Sequence, residues 1–153
     1  MHENKIKESL KIKPVSLKYL DQYNELLRYV FQVTDRVLEE SGYEDGELRR
    51  TKLPILQEAD VFGWFTHDDE LVSQICIYPC EVNIHSRIFR MGGVTGVGTY
   101  PEFAGMGLMN DLIRLALQKM RKAEQYVSYL YPYSIPYYRR KGWEIMSDHI
   151  TFT

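Results

Sequence analysis

The spacing of apolar residues changes twice along the sequence, and these changes limit the folds available to the chain. Between residues 59 and 100, apolar and polar residues alternate in three stretches, separated by the polar turn HDDE and by a turn around His85 to Arg87. Three strands joined by short turns form an antiparallel meander. On both sides of this region apolar residues recur at helical spacing, as in GLMNDLIRLALQKMRK. The pattern predicts an α/β domain with a mixed sheet and flanking helices.

The segments outside the meander complete the predicted order of elements. Leu10 to Val15 predicts a leading strand, Ser16 and Thr34 are candidate caps of two helices, and Gly42 is a candidate stop. The segment EDGELRRTKLP predicts a loop or a short helix broken at Pro54. After the long helix, YVSYLY predicts a strand, IPYYRRKG a short helix and WEIMSDHITFT a last strand. Together the segments predict a central sheet of about six to seven strands.

The length and charge of the chain exclude several classes of protein. Its 153 residues suffice for one domain with a hydrophobic core. A formal net charge of −2 argues against binding along a nucleic-acid backbone. No stretch approaches the roughly 18 apolar residues of a membrane span, and the polar start MHENKIKESLKIKP is unlike a signal peptide. We therefore expect a cytoplasmic protein with neither nucleic acid nor membrane as a partner.

The cysteines and histidines give no sign of a disulfide or a metal site. Cys76 and Cys80 are the only cysteines, and both lie in one predicted strand. Four residues of strand span about 13 Å, which is twice the reach of a disulfide. The four histidines have no metal-ligand spacing: His2, His67, His85 and His149. We expect two buried free thiols and no bound metal.

Glycine is concentrated in one segment of the chain. Six of the ten glycines lie between residues 92 and 107, where a predicted strand is followed by a loop and the long helix. Glycine in a strand marks a bulge or a close backbone approach, and a glycine-rich turn before a helix exposes N–H groups that bind anions. The dinucleotide motif fails because Pro101 takes its third glycine position, and the P-loop motif is absent. Glycine clustering alone leaves a ligand site and a crowded strand equally open.

The string VGTYPEFAGMGLMNDLI resembles motif A of the GCN5-related N-acetyltransferases, called GNAT below. The resemblance implies that acetyl-coenzyme A (acetyl-CoA) is the co-substrate. It also implies that Val97, Gly98 and Thr99 offer backbone groups to the pantetheine arm. The residues that would surround the pyrophosphate are Gly105, Met106, Gly107, Leu108, Met109 and Asn110. The segment departs from the motif at Ala104, in place of Arg or Gln, and at Met109, in place of Gly or Ala.

A second string, SIPYYRRKGWE, resembles motif B of the same superfamily. The matching residues are an aromatic pair, Tyr137 and Tyr138, followed by Gly142 and Trp143. The resemblance implies that the Tyr138 hydroxyl is the general acid that protonates the departing thiolate. The alternative is a packing role, because six of the twelve tyrosines lie between residues 126 and 138.

More narrowly, GGVTGVGTYPEFAGMGLM with PYSIPYYRRKGWEI resembles the N-terminal domain of the enhanced intracellular survival (Eis) acetyltransferases. The resemblance implies that residues 1–153 are one GNAT domain at the N-terminal end of a longer multidomain protein. It also implies a homo-oligomer, since full-length relatives form hexamers, and it places Tyr133 and Ser134 beside the cofactor. The general base of that family is the carboxylate at the far C-terminus.

Two interpretations remain open for each of three further candidate site features. Glu81 is a candidate base, although a strand residue that faces water is preferred. The basic run from Arg139 to Lys141 is either a contact for the adenosine phosphate or a solvated helix end. The third candidate is an acidic patch, which either binds a polycationic amine substrate or is a solvated face. It consists of Glu39, Glu40, Glu44, Asp45 and Glu47.

The function expected from these observations is the transfer of an acetyl group from acetyl-CoA to a primary amine by direct attack. The acceptor would be a small-molecule aminoglycoside, a polyamine or a lysine-like amine. The alternative function is a non-catalytic module that binds acyl-CoA or supports assembly.

Overall fold

The computed structural model describes residues 2–44 and 46–147, and the sheet in this part of the chain has five strands. They are β1 (Lys11–Pro14), β2 (Asp60–Phe65), β3 (Leu71–Ile84), β4 (Arg87–Thr99) and β5 (Val127–Leu130). The strands lie side by side in chain order, and every neighbouring pair is antiparallel except β4 and β5, which are parallel. The predicted meander is confirmed as β2, β3 and β4.

The helices cover both faces of this sheet. They are α1 (His2–Ser9), α2 (Leu20–Val30), α3 (Asp35–Glu40), α4 (Glu47–Glu58), α5 (Leu108–Lys122) and α6 (Ile135–Arg139). Successive strand residues alternate between two cores, so that Ile75 and Ile77 pack with α5, and Cys76 between them packs with α2 and α4. α5 forms the crossover connection that the parallel neighbours β4 and β5 require.

The observed helices test the caps and the helix break that the sequence predicted. Thr34 caps α3, since its hydroxyl accepts a bond from the Val37 N–H at 3.3 Å. The Ser16 side chain makes no such bond. The expected break at Pro54 is wrong, because α4 runs through it. Pro54 is exposed, where water can satisfy the carbonyl it leaves free, and burial of Leu56 holds the helix against the α2 side of the sheet.

The last predicted strand is not observed in the described residues. Residues 143–147 adopt no strand, and residues 148–153, which include His149, lie outside the described residues. The described sheet therefore has five strands where about six to seven were predicted. In the described part of the chain, no helix is long and apolar enough to cross a membrane.

Both cysteines are free thiols. Cys76 is buried, and burial raises the pKa of its thiol to about 12. Cys80 differs from the expectation because it is only half-buried. Within residues 2–44 and 46–147, no cluster of three or more His, Cys, Asp or Glu side chains has the arrangement of a metal site.

Candidate active site

β4 is paired with β5 over only part of its length. The parallel ladder joins residues 91–94 to residues 127–130, ending at Val94 and Leu130. β4 nevertheless continues to Thr99, and its other edge stays paired with β3 as far as Ser73. In the described structure, residues 95–99 therefore have one strand edge with no strand partner. Backbone N–H and C=O groups on such an edge can bind an extended ligand as an added strand would.

A β-bulge begins where this pairing with β5 ends. One β3 residue, Ile75, faces two β4 residues, Gly96 and Val97. Gly96 has a φ of +59°, and a Cβ placed there would lie 2.6 Å from the Tyr23 hydroxyl oxygen. Only glycine meets both demands at this position. A bulge bends its strand, so the glycine clustering in the sequence corresponds to the point at which β4 loses its partner.

A glycine loop leads from β4 into α5. Gly105 and Gly107 have φ values of +80° and +74°, and in the described part of the chain no side-chain cap bond is made at the N-cap of α5, Gly107. The buried Trp64 indole N–H donates to the Leu108 carbonyl at 3.0 Å and fixes the start of the helix. Uncapped N–H groups at the positive end of a 15-residue helix suit an anion.

The other residues of this loop contribute packing and charge. Met106 and Met109 are half-buried and pack with Val97 against the α5 side of the core. Ala104 has no side-chain donor. Gly98 is constrained as well, since a Cβ there would lie 2.9 Å from Val30.

Two lysines lie at the start of α5: Lys141, from the basic run, and Lys7, which the sequence analysis did not single out. Lys7 forms a 2.6 Å salt bridge with Asp111, and its Nζ lies 3.8 Å from the place of a Cβ on Gly107. Lys141 donates a hydrogen bond to the Asn110 side-chain oxygen. Both come from segments distant in sequence, so local patterns did not predict their position beside α5. They add positive charge beside the uncapped helix end.

The aromatic residues of the second motif lie on the segment after β5. Tyr138 is 9% exposed and contacts Tyr137 and Trp143 edge-on, at 5.2 and 6.1 Å between ring centroids. Burial, and then the neighbouring Tyr137, raise the pKa of the Tyr138 hydroxyl. It therefore stays protonated at neutral pH and can donate a proton. Trp143 is held to β5 by a 3.2 Å bond from its indole N–H to Ser128.

The two segments are joined through the α5 side of the core, and Tyr138 also lines a separate cavity. Tyr137 packs against the same core cluster as Val97 and Met109. Tyr138 lines a cavity of about 780 Å³ on the outer side of β5, and no residue between 95 and 110 lines that cavity. Tyr133 is 90% exposed, and Ser134 is the N-cap residue of α6 without a side-chain bond.

The remaining candidates lie away from the bulge. Glu81 is exposed and lies opposite Arg90 in the β3–β4 ladder. It is six residues along β3 from Ile75, which corresponds to about 20 Å. This confirms the interpretation of Glu81 as a strand residue that faces water. In the basic run, Arg139 pairs with Glu144 at 2.7 Å. In the acidic patch, Glu39, Glu40 and Glu44 are exposed and Glu47 is half-buried, whereas Asp45 lies outside the described residues.

The sequence matches the profile of the acetyltransferase (GNAT) domain over residues 11–146. The chain belongs to the GNAT acetyltransferase family. The mixed sheet, with its parallel β4 and β5, is the GNAT fold, and similar solved structures share it. A comparison with curated protein sequences gives no match.

Two of the similar structures are much longer than this GNAT domain. A probable N-acyltransferase from Enterococcus faecalis V583 is 26% identical over 88% of this chain, with a TM-score of 0.75. A GCN5-related N-acetyltransferase from Kribbella flavida is 23% identical over 87% of this chain, with a TM-score of 0.71. This chain spans 32% of each of those proteins.

A third similar structure has nearly the same length. A GCN5-related N-acetyltransferase from Ralstonia eutropha JMP134 is 18% identical, with a TM-score of 0.74. The match covers 94% of this chain and 98% of that one. At this identity the likeness shows the fold alone.

Proposed function

We propose that this GNAT domain transfers an acetyl group from acetyl-CoA to a primary amine by direct attack. The observation that carries the proposal is the unpaired edge of residues 95–99, which begins at the Gly96 bulge and is followed by the uncapped start of α5. An extended arm that ends in a pyrophosphate suits this pair of features. A similar fold, from Clostridium acetobutylicum, is described with acetyl-CoA.

The proposed binding mode assigns a task to each part of the glycine segment. The backbone groups of Val97, Gly98 and Thr99 bind the amides of the pantetheine arm. The N–H groups from Gly105 to Asn110 bind the pyrophosphate, with Lys7 and Lys141 supplying the positive charge that Ala104 does not. Acetyl-CoA supplies an activated carbonyl carbon.

The proposed reaction forms one bond and breaks one bond. The amine nitrogen bonds to the thioester carbonyl carbon, and the carbon–sulfur bond breaks. Backbone N–H groups of β4 stabilise the negative charge that develops on the carbonyl oxygen. The Tyr138 hydroxyl protonates the departing sulfur, the general base takes the proton that the attacking nitrogen loses, and water then returns a proton to the Tyr138 oxygen. Tyr133 and Ser134, on the segment between β5 and α6, contact the cofactor near its reactive end.

We also propose that the domain is Eis-like, that it works within a longer homo-oligomeric protein, and that its general base is a carboxylate outside residues 1–153. The motif resemblance supports this, as does the 32% span of the chain in two similar proteins. Residues 1–153 would then bind acetyl-CoA but transfer acetyl groups slowly. A protein extended to its natural C-terminus should react about 10²- to 10⁴-fold faster. Equal rates of thiol release would place the base within residues 1–153.

Calorimetry and a thermal scan with acetyl-CoA test the core of the proposal. At about 100 times the dissociation constant, binding should stabilise the fold by roughly 2.7 kcal/mol. Thiol release in the presence of a panel of amines then measures transfer. If millimolar acetyl-CoA produces no binding heat and no thermal shift, the proposal is rejected. Binding without any transfer would favour the alternative, a non-catalytic acyl-CoA module.

A further inference from the structure

Unsatisfied hydrogen-bonding capacity is concentrated at one place in the core. Among the described residues, two buried side-chain atoms lack a hydrogen-bond partner, Asn24 Oδ1 and Gln74 Oε1. Asn24 is 8% exposed and Gln74 is fully buried. Buried polar atoms in native proteins are nearly always bonded, so each exception needs an explanation.

Both atoms belong to residues beside the Gly96 bulge. Gln74 lies on β3 opposite Gly98, and its Nε2 donates to the Tyr23 carbonyl at 3.3 Å. Asn24 follows Tyr23 on α2, and the Tyr23 hydroxyl covers Gly96. Two orphaned acceptors at the same edge of a candidate catalytic cleft indicate a site that binds a polar ligand.

A cavity opens at this place. It has a volume of about 220 Å³ and lies between α2, α4 and the bulge. Its polar and charged lining residues are Tyr23, Asn24, Arg28, Lys52 and Thr95. Gly96 also lines it, and the next residue, Val97, is one of those proposed to bind the pantetheine arm of the cofactor. The volume suits a small metabolite or one end of a larger ligand.

The charge of the lining has one sign. Arg28 and Lys52 are the charged residues that line it, and no Asp or Glu of residues 2–44 and 46–147 does so. Arg28 is partly engaged, since its Nη2 pairs with Asp35 at 2.5 Å and its Nε donates to the Val33 carbonyl at 3.2 Å. Lys52 is half-buried and has no salt bridge to a described carboxylate. A half-buried cation without a partner favours an anionic ligand.

We propose that this cavity is the acceptor subsite and that the acceptor is a small primary amine with an anionic group, a carboxylate or a phosphate. The inference rests on the proposed function and refines it. Lys52 binds the anionic group, and the Asn24 amide oxygen accepts a hydrogen bond from the amine. The described acidic residues of α3 and α4 do not line the cavity, so a polycationic acceptor finds no carboxylate of the described residues there.

Two pairs of acceptors test the charge requirement. Lysine and cadaverine differ only in a carboxylate, and phosphoethanolamine and ethanolamine differ only in a phosphate. At saturating acetyl-CoA, the anionic member of at least one pair should have a kcat/KM roughly tenfold or more higher, as expected for a charge-assisted bond. The pair with the larger ratio identifies the anion. Equal values in both pairs, or a preference for the members without the anion, would overturn the inference.

Matched variants place the requirement at the cavity. Lys52→Gln should raise KM for the preferred anionic acceptor by roughly tenfold and leave its uncharged counterpart nearly unchanged. Lys122→Gln, on the exposed end of α5, is the control and should change neither. Asn24→Asp keeps the side-chain shape and adds a carboxylate, so it should shift the preference toward cadaverine. If Lys52→Gln and Lys122→Gln behave alike, the inference is wrong.

Direct binding separates failure of this inference from failure of the proposed function. If the protein binds acetyl-CoA and acetylates the acceptors without regard to charge, the proposed function stands and the inference fails. If acetyl-CoA neither binds nor reacts, the proposed function fails. The same four amines are then titrated into the protein by calorimetry. If an anionic amine binds and Lys52→Gln weakens that binding, the cavity assignment is still supported. If none of the four amines binds, the assignment is rejected.

Discussion

The two sequence motifs lie in a glycine-rich segment and a tyrosine-rich segment, which differ in what holds their conformation. In the glycine segment, residues 92–107, the backbone conformation is set by positive φ values and by close contacts such as Tyr23 on Gly96. In the tyrosine segment, residues 126–138, three of the six tyrosine rings are solvent-exposed, and Tyr131 and Tyr133 are about nine-tenths exposed. Tyr138 is the buried exception. The difference indicates that the first segment acts through its backbone and the second through a single side chain.

The largest expected effect therefore comes from a single hydroxyl group. Tyr138→Phe keeps the ring and its edge-on contacts, and it should slow transfer by roughly 10²-fold or more with acetyl-CoA affinity nearly intact. Tyr126→Phe, at a tyrosine that is 75% exposed, is the control and should react like the wild type. Single-turnover kinetics make the comparison. If Tyr138→Phe transfers acetyl groups as fast as the wild type, Tyr138 is a packing residue and not the general acid.

The pH profile sharpens the same assignment. Because burial raises the pKa of the Tyr138 hydroxyl above its usual value near 10, the phenol stays protonated throughout the neutral and mildly alkaline range. Transfer should therefore show no decline that depends on Tyr138 below about pH 10. A descending limb near neutral pH that vanishes in Tyr138→Phe would contradict the raised pKa.

The next largest effect is expected in the backbone of the glycine segment. Gly96→Ala combines a positive φ with a Cβ only 2.6 Å from the Tyr23 hydroxyl, and it should destabilise the fold by about 2 to 3 kcal/mol. Gly105→Ala has the positive φ without any atom within 4 Å, so it should cost only about 1 kcal/mol. Denaturant unfolding measures both. Equal costs would mean that the bulge is not closely packed.

The smallest effect is expected from the two lysines near α5. Lys141→Gln and Lys7→Gln should each weaken acetyl-CoA binding by roughly three- to tenfold, an effect that shrinks as salt is added. Lys122→Gln, at the opposite end of the same helix, serves again as the control. If affinity is unchanged in both variants, the backbone alone binds the pyrophosphate.

The sequence predicted the parts of the fold that depend on local patterns. The meander, α5 and the bulge were accessible because alternation, helical spacing and clustered glycine each record a local backbone requirement. α1 was missed because its sequence, HENKIKES, has no apolar face, and Lys7 joins it to Asp111 at the start of α5. Pro54 was misjudged because burial of its neighbour outweighs local preference.

The site was predictable only where a motif covers it. Val97 to Asn110 form one continuous segment, so a resemblance could name them. The cavity beside Gly96 is formed by α2, α4 and β4, and its Lys52 and Asn24 are distant in sequence. Their chemistry appears only when burial and unpaired atoms are known. The Eis-like assembly and the identity of the base stay predictions.

The central claim, that acetyl-CoA binds between β4 and β5 at the glycine segment, is tested most directly by backbone amide chemical shifts. We expect acetyl-CoA to shift the amides of residues 97–99 and 105–110 most strongly, and to leave those of residues 81–90, at the far end of β3 and β4, unchanged. Shifts confined to residues 126–147, which line the larger cavity outside β5, would place the cofactor elsewhere and contradict the account.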